Sequence, residues 1–324
     1  MYFQACKGRK KVRYLIADSH CDSILDVASG KRSLAEETNT GHLDFPRMMK
    51  GQIALQFMAL FIEQHYRPHG VLMRTLELID LIKNEINKVD YIDLVLNKND
   101  LNEFVSNKPK ILLAIEGGEA ICGSLGVLRC FFNLGIRSMT LTWNYRNEIA
   151  DGCGEEPFGQ GLSKFGQEVV REMNRLGMLI DVSHLSEKSF WDVLKYTEQP
   201  VIASHSCCKA LSDHKRNLSN EQMKALAEMG GVLAINFYPP FLNLTDEATI
   251  EDVVNHITYA SEIMGVEHVG LGSDFDGIET VPTGLENIEY LPRLIDTLEN
   301  KGFSSEEIAK IMGNNIIGLL KRVL

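Results

Sequence analysis

Metal-binding side chains fall at repeated places in this chain. His20 and Asp22, Glu116, His184 and His205 each come just after a short apolar run: YLIA, ILLAI, LIDV and VIA. Runs of this kind read as parallel strands covered on both faces. Side chains at the ends of four strands can meet only if those strands lie side by side and point the same way. A (β/α)8 TIM barrel does this and gathers such residues at its C-terminal rim. Two acids and three imidazoles converging there are enough to hold a pair of divalent metal ions, which points to a metal-dependent hydrolase.

Eight candidate strands recur: 14–17, 54–61, 111–115, 138–141, 178–182, 201–203, 232–236 and 269–271. Between them lie amphipathic stretches long enough for helices, among them 74–88, 125–134, 164–176, 187–196, 220–229 and 250–264. Strand and helix alternating in this way indicate a layered α/β fold closed into a barrel. Ser186 and Ser219 precede helices as N-caps. Gly135, Gly177 and Gly230 end helices where a left-handed residue is wanted. A last helix, 305–320, is expected against the barrel base. With no linker-like stretch and no internal repeat, the 324 residues read as one domain, with 1–13 as an N-terminal extension.

The formal net charge of −11 argues against nucleic acid as a partner, because phosphate backbones are held by Lys and Arg clusters. It leaves room for an anionic small substrate, since bound metals and a local Arg reverse the potential inside a pocket. Seven cysteines with no framework spacing indicate reduced thiols and a cytoplasmic protein. The basic run at Lys7, Arg9, Lys10, Lys11 and Arg13 is not followed by a signal-type apolar region, and no segment is long and apolar enough to cross a membrane.

In an extended segment, residues two apart share a face, so His20 and Asp22 can reach one metal while Cys21 points away as a packing residue. Imidazole and carboxylate suit Zn2+, with Mn2+ or Fe2+ as alternatives. Glu116 opens EGGEA; its two oxygens could bridge two metals, and the glycines let the backbone approach something closely. His184 and His205 each complete a Ser-His pair at the same place after neighbouring strands. Asp181, inside a strand, reads either as an outer partner of a ligand or as a buried structural acid. Asp274, in GSDFDG, is placed to carry a proton and is preferred to Asp276 as the nearer to its strand end. Arg216 could hold a carboxylate with its two-pronged guanidinium, or be a surface Arg. Tyr238 could line the pocket or simply pack. His65 and His69 read as solvated loop residues, or as lining a pocket mouth.

The motifs DSHCD, AIEGGEA, SLGVLR, LTWN, LIDVSHLS, VIASHS, KRNLS, INFY and GSDFDG, in this order over nearly the whole chain, resemble the membrane dipeptidase (renal dipeptidase) family of zinc peptidases. That family belongs with the amidohydrolase-like barrels, and this chain looks like a microbial-type cytosolic member. The resemblance implies that His20 and Asp22 bind one zinc, His184 and His205 the other, and that Glu116 bridges both. It also implies that Arg216 holds the substrate's C-terminal carboxylate and that Asp274 handles the proton. The expected enzyme is a homodimer with two Zn2+ per chain. It would cleave dipeptides, including those with a C-terminal D-residue, by attack of a hydroxide held between the metals. The better-known members carry TLTH after the fourth strand, where the His contacts substrate; here Trp143 and Asn144 follow instead. Asn144 could then donate to the developing oxyanion, or Trp143 could narrow the pocket. The rival activities for a barrel rim of this kind are those of a lactonase, a deaminase or a β-lactam hydrolase, and the non-enzymatic rival is a binding barrel.

Overall fold

The computed structural model describes residues 14–102, 104 and 108–324. The basic extension expected at 1–13 lies outside the described residues. Each of the eight apolar runs forms a strand: β1 (Ile16–Asp18), β2 (Ile53–Phe61), β4 (Lys110–Glu116), β5 (Ile136–Thr140), β6 (Leu179–Asp181), β7 (Ile202–Ser206), β8 (Val232–Ile235) and β9 (Val269–Leu271). A two-residue strand absent from the sequence reading, β3 (Asp93–Leu94), pairs with the start of β4. All pairings are parallel, and β2 pairs with both β1 and β4, so the eight long strands close into a ring. The chain is therefore a (β/α)8 barrel, with every strand end on one rim. The long apolar run of β2 is used in full, since seven consecutive positions pair with β4, ending at Phe61 opposite Glu116.

Caps explain where several helices start and stop. Ser186 accepts from the Ser189 N–H, and Ser219 forms a reciprocal box with Gln222. Gly135, Gly177 and Gly230 have φ of 106°, 68° and 71°, the left-handed exit expected of them. Helices at Ile24–Ala28, Phe45–Lys50, Pro239–Asn243 and Arg293–Lys301 were not expected from periodicity; three are too short to show one.

Apolar side chains from β1, β2, β4, β6, β7 and β8 (Ala17, Leu55, Leu112, Leu179, Ile202 and Val232) meet in one cluster. Strands spread around a ring can share such a cluster only inside it. Ile316, Leu319, Leu320 and Val323 of the C-terminal helix complete it, so this helix closes the base. The continuous helix expected over 305–320 is corrected here. Ser305–Ala309 and Asn315–Val323 are separated by a π-helical segment, Lys310–Asn314. Gly313 lies in that segment against the β1 backbone, where a Cβ would collide with the Leu15 carbonyl, and the chain bends to make the approach. Among the described residues no helix is long and apolar enough to cross a membrane.

Candidate active site

The loops after β1 and β9 lock each other in place. Asp22 N–H donates to the Phe275 carbonyl (2.9 Å), and Asp274 N–H donates to the His20 carbonyl (3.2 Å). Between them Cys21 makes a parallel bridge with Phe275 and is fully buried, its thiol directed to the Phe57 carbonyl at 3.4 Å. Alternation then turns His20 and Asp22 to the other side, with His20 Nε2 3.4 Å from Asp22 Oδ2. Gly277 carries no Cβ where one would run into the Asp22 and Asp274 carboxylates. Gly117, at φ 107°, turns the chain sharply after Glu116 and hands its N–H to the Thr140 carbonyl.

These loops bring the five expected ligands together. Glu116 Oε1 is 2.9 Å from His184 Nε2 and 3.5 Å from His205 Nε2, while Oε2 is 3.7 Å from His20 Nε2. Asp274 Oδ1 lies 3.9 Å from His20 Nε2. Two overlapping triads, His20–Glu116–His205 and His20–Asp22–Asp274, have ligand atoms mutually close enough for an ion each. His184 and Asp274 both sit at left-handed φ (68° and 65°), unusual for non-glycine residues and characteristic of positions the surrounding structure has to hold.

The hydrogen-bond partners decide what the imidazoles offer. His184 Nδ1 is 2.8 Å from Asn144 Oδ1, which also accepts from the Cys153 thiol. An amide oxygen can only accept, so Nδ1 carries the proton and Nε2 presents a lone pair. His205 Nδ1 is 2.7 Å from Ser204 Oγ, whose own proton goes to Asp181 Oδ2 (2.5 Å); again Nε2 is left bare. Two lone pairs then face each other at 2.8 Å, with a Glu116 oxygen beside them. His20 Nε2 and Asp22 Oδ1 are buried with no hydrogen-bond partner. An array of acceptors turned on one another in a low-dielectric site is repulsive unless cations sit among them. The donor set fits divalent metals of the zinc kind.

The titration behaviour points the same way. Burial alone would push the His20 imidazolium down, but Glu116, Asp22 and Asp274 outweigh it and carry its pKa up to about 10. Burial drives His184 and His205 well below the ordinary imidazole range, with Arg216 and His20 adding to the effect. Glu116 and Asp274 are raised by burial, with further contributions from the neighbouring carboxylates. Asp18, beneath the rim, is pushed up to about 6 by burial although Ser273 and Gln56 donate to it.

A cavity of about 470 Å³ opens over this cluster, lined by Asp22, Glu116, His184, His205 and Asp274, and also by Trp143, Asn144, Arg216 and Tyr238. Arg216 is only 5 % exposed. Its Nη2 donates to the His205 carbonyl (3.1 Å), its Nη1 to Ser206 Oγ (3.4 Å), and among the described residues it has no acidic partner. Trp143 packs 6.1 Å from the His184 ring, and Tyr238 stands edge-on to Phe241 at 5.0 Å. Asn144 turns its carbonyl oxygen to His184, a positioning contact made in addition to lining the cavity. Asp181 is an outer partner of His205 through Ser204, and it also accepts from Thr140 Oγ1 and from the Ser183 and Ser204 N–H groups. Asp276 lines the cavity but is tied up by Arg32 (2.6 Å), Ser23 and the His42 N–H. His65 and His69 do not reach the cavity.

Sequence reasoning missed Asn236, which donates to Asp274 Oδ2 at 2.9 Å, and Ser204. Asn236 directly follows β8, and Ser204 closes the VIA run within β7, so the signal is the same one that marks Glu116: a polar residue closing an apolar run.

A family profile for the membrane dipeptidases, peptidase family M19, matches residues 10–324. An uncharacterized dipeptidase of Schizosaccharomyces pombe is 38% identical, covering 98% of this chain and 82% of its own. Dipeptidase aclJ of Aspergillus oryzae is 37% identical, covering 86% and 69%. Among solved structures, a metallo peptidase from Rhodobacter sphaeroides holding a phosphinate mimic of the dipeptide L-Ala-D-Ala superposes with a TM-score of 0.89, at 27% identity over 96% of this chain and 99% of that one. An M19 metallo peptidase, dipeptidase AC, gives 0.90 at 28% identity over 96% and 98%. With a profile match over nearly its whole length and relatives this similar, the chain belongs to the membrane dipeptidase family, peptidase family M19.

Proposed function

We propose that this metallopeptidase works as a binuclear zinc dipeptidase that also accepts a D-residue at the C-terminal position. One observation carries the reading: a buried, acid-free Arg216 and an array of facing metal-type acceptors open into the same small cavity. His20 and Asp22 would hold one ion, His184 and His205 the other, with Glu116 reaching both. Bound there, divalent cations supply Lewis acidity for the scissile carbonyl and acidify water.

The protein's own groups do the rest. Arg216 fixes the substrate's free carboxylate, since its remaining N–H donors match a carboxylate two-pronged. This limits the substrate to a length at which the carboxylate and the scissile bond fit together, and so favours dipeptides. Asp274 lines the cavity beside the ligand cluster, where it takes the proton given up by the attacking water and delivers it to the departing amine. Asn236 keeps the carboxyl oriented. Asn144 and Ser204 fix the tautomers of His184 and His205.

The D-residue reading rests on the dipeptide mimic in the Rhodobacter sphaeroides relative. A homodimer follows from the family resemblance. A cytoplasmic location is favoured by the free thiols of the described cysteines. The barrel is taken as the chain's one domain.

The test is release of free amino acids from L,L- and L,D-dipeptides by zinc-loaded protein, with a chelated control and matching tripeptides. Turnover of dipeptides that stops on chelation is expected. Silence across the panel with metal bound, or equal cleavage of tripeptides, contradicts the proposal.

A further inference from the structure

We infer that Phe61 and Trp143 form the subsite for the first residue of the substrate, and that it selects apolar and aromatic side chains there. The inference rests on the dipeptidase reading above and specifies its substrate class.

The ring order supplies the direction. Starting from β1, the strands run β2, β4, β5, β6, β7, β8 and β9, so β2 stands diametrically across the mouth from β7. Arg216 is anchored on the end of β7, through the His205 carbonyl and Ser206. Phe61 is the last residue of β2, in register with Glu116 of β4. A dipeptide held by its carboxylate at Arg216, with its carbonyl over Glu116, must direct its first residue toward the β2 and β5 side.

What waits on that side is aromatic. The Phe61 and Trp143 rings lie 5.4 Å apart at 54°, both lining the cavity, and Tyr145 meets Trp143 edge-on at 5.7 Å. The cation packed against these rings does not present its charge to substrate. The Arg67 guanidinium is 5.8 Å from the Trp143 ring and 5.9 Å from that of Phe61, and it is neutralised by Glu119 at 2.5 Å. Its contact with both rings stiffens the wall without charging the cavity face. Leu25 and Ile278 add further apolar lining. An apolar side chain entering here displaces water from ring faces, whereas a carboxylate would lose water against those faces and gain nothing from them.

The test compares kcat/KM for L-Phe-Gly, L-Leu-Gly, L-Ala-Gly and L-Asp-Gly on the zinc-loaded enzyme. Glycine in second place removes any question of stereochemistry there. Phe and Leu are expected to exceed Ala by roughly 10- to 100-fold, the discrimination an apolar pocket gives, with Asp the poorest. Trp143→Ala should collapse the Phe-to-Ala ratio and Trp143→Phe should keep most of it. Partial metal loss in a variant scales every substrate alike, so the ratio still reads the subsite. The wild-type ranking decides the matter even if a variant fails to fold. A flat ranking, or a preference for Asp, overturns the subsite while leaving the dipeptidase reading intact. Silence for all four with metal bound overturns both.

Discussion

The two ends of the barrel solve opposite problems with the same strands. At the base, Leu55, Leu112 and Ile202 bury apolar surface against Ile316 and Leu320 of the closing helix. At the rim, β4 ends in Glu116 and β7 carries His205, whose acceptors face one another in a buried cluster. The base is complete as the chain folds; the rim is complete only when cations arrive. The contrast teaches that stability and chemistry are kept apart along the barrel axis, so that each can fail without the other.

The sharpest way to break this separation is at Glu116. Glu116→Gln should keep the fold but lower dipeptide turnover by more than about 100-fold, beyond what losing an outer partner of a metal site typically costs. Circular dichroism alongside the kinetic assay checks both halves. Leu320→Ala should do the reverse. It should lose about 2–5 kcal/mol of stability in denaturant unfolding, with kcat/KM of the folded enzyme unchanged. If Leu320→Ala instead altered turnover, the two ends would be coupled. Ser204→Ala sharpens the account of the rim. By cutting the Asp181–Ser204–His205 chain it should weaken metal binding by about 10- to 100-fold, read by chelator competition.

The last change is one of pH. His20 is raised to about 10, so in the metal-free chain it contributes stability that is present at pH 6.5 and lost as pH rises toward 10. Glu116 and Asp274, also raised, act in the same direction. Once cations replace the proton on His20 that loss should disappear. Thermal midpoints of metal-free and zinc-loaded protein across this range would show it as a slope in one and not in the other.

Most of this division was legible in the sequence. Uninterrupted apolar runs ending in His, Glu or Asp gave both the strands and the rim, because parallel strands buried on both faces tolerate a polar group only at their ends. Less local features were not legible. The two-residue strand Asp93–Leu94 carries too little pattern to stand out. The π-helical segment Lys310–Asn314 depends on where Gly313 meets β1, a contact between opposite ends of the chain. In the sequence, only distance from the strand end favours Asp274 over Asp276. The physical difference between them is that Arg32, Ser23 and His42 claim Asp276, and no spacing rule reaches that far. Likewise the contact between Asn144 and His184, forty residues on, is one that no local pattern shows.

The central claim is that the facing acceptors at the rim require divalent cations. Zinc titration into the metal-free chain, followed by calorimetry with metal analysis of the product, tests it most directly. The account predicts saturable uptake of two equivalents per chain, lost or halved in Glu116→Gln, with a rise in the thermal midpoint on loading. Absence of uptake, or uptake indifferent to Glu116→Gln, would contradict it.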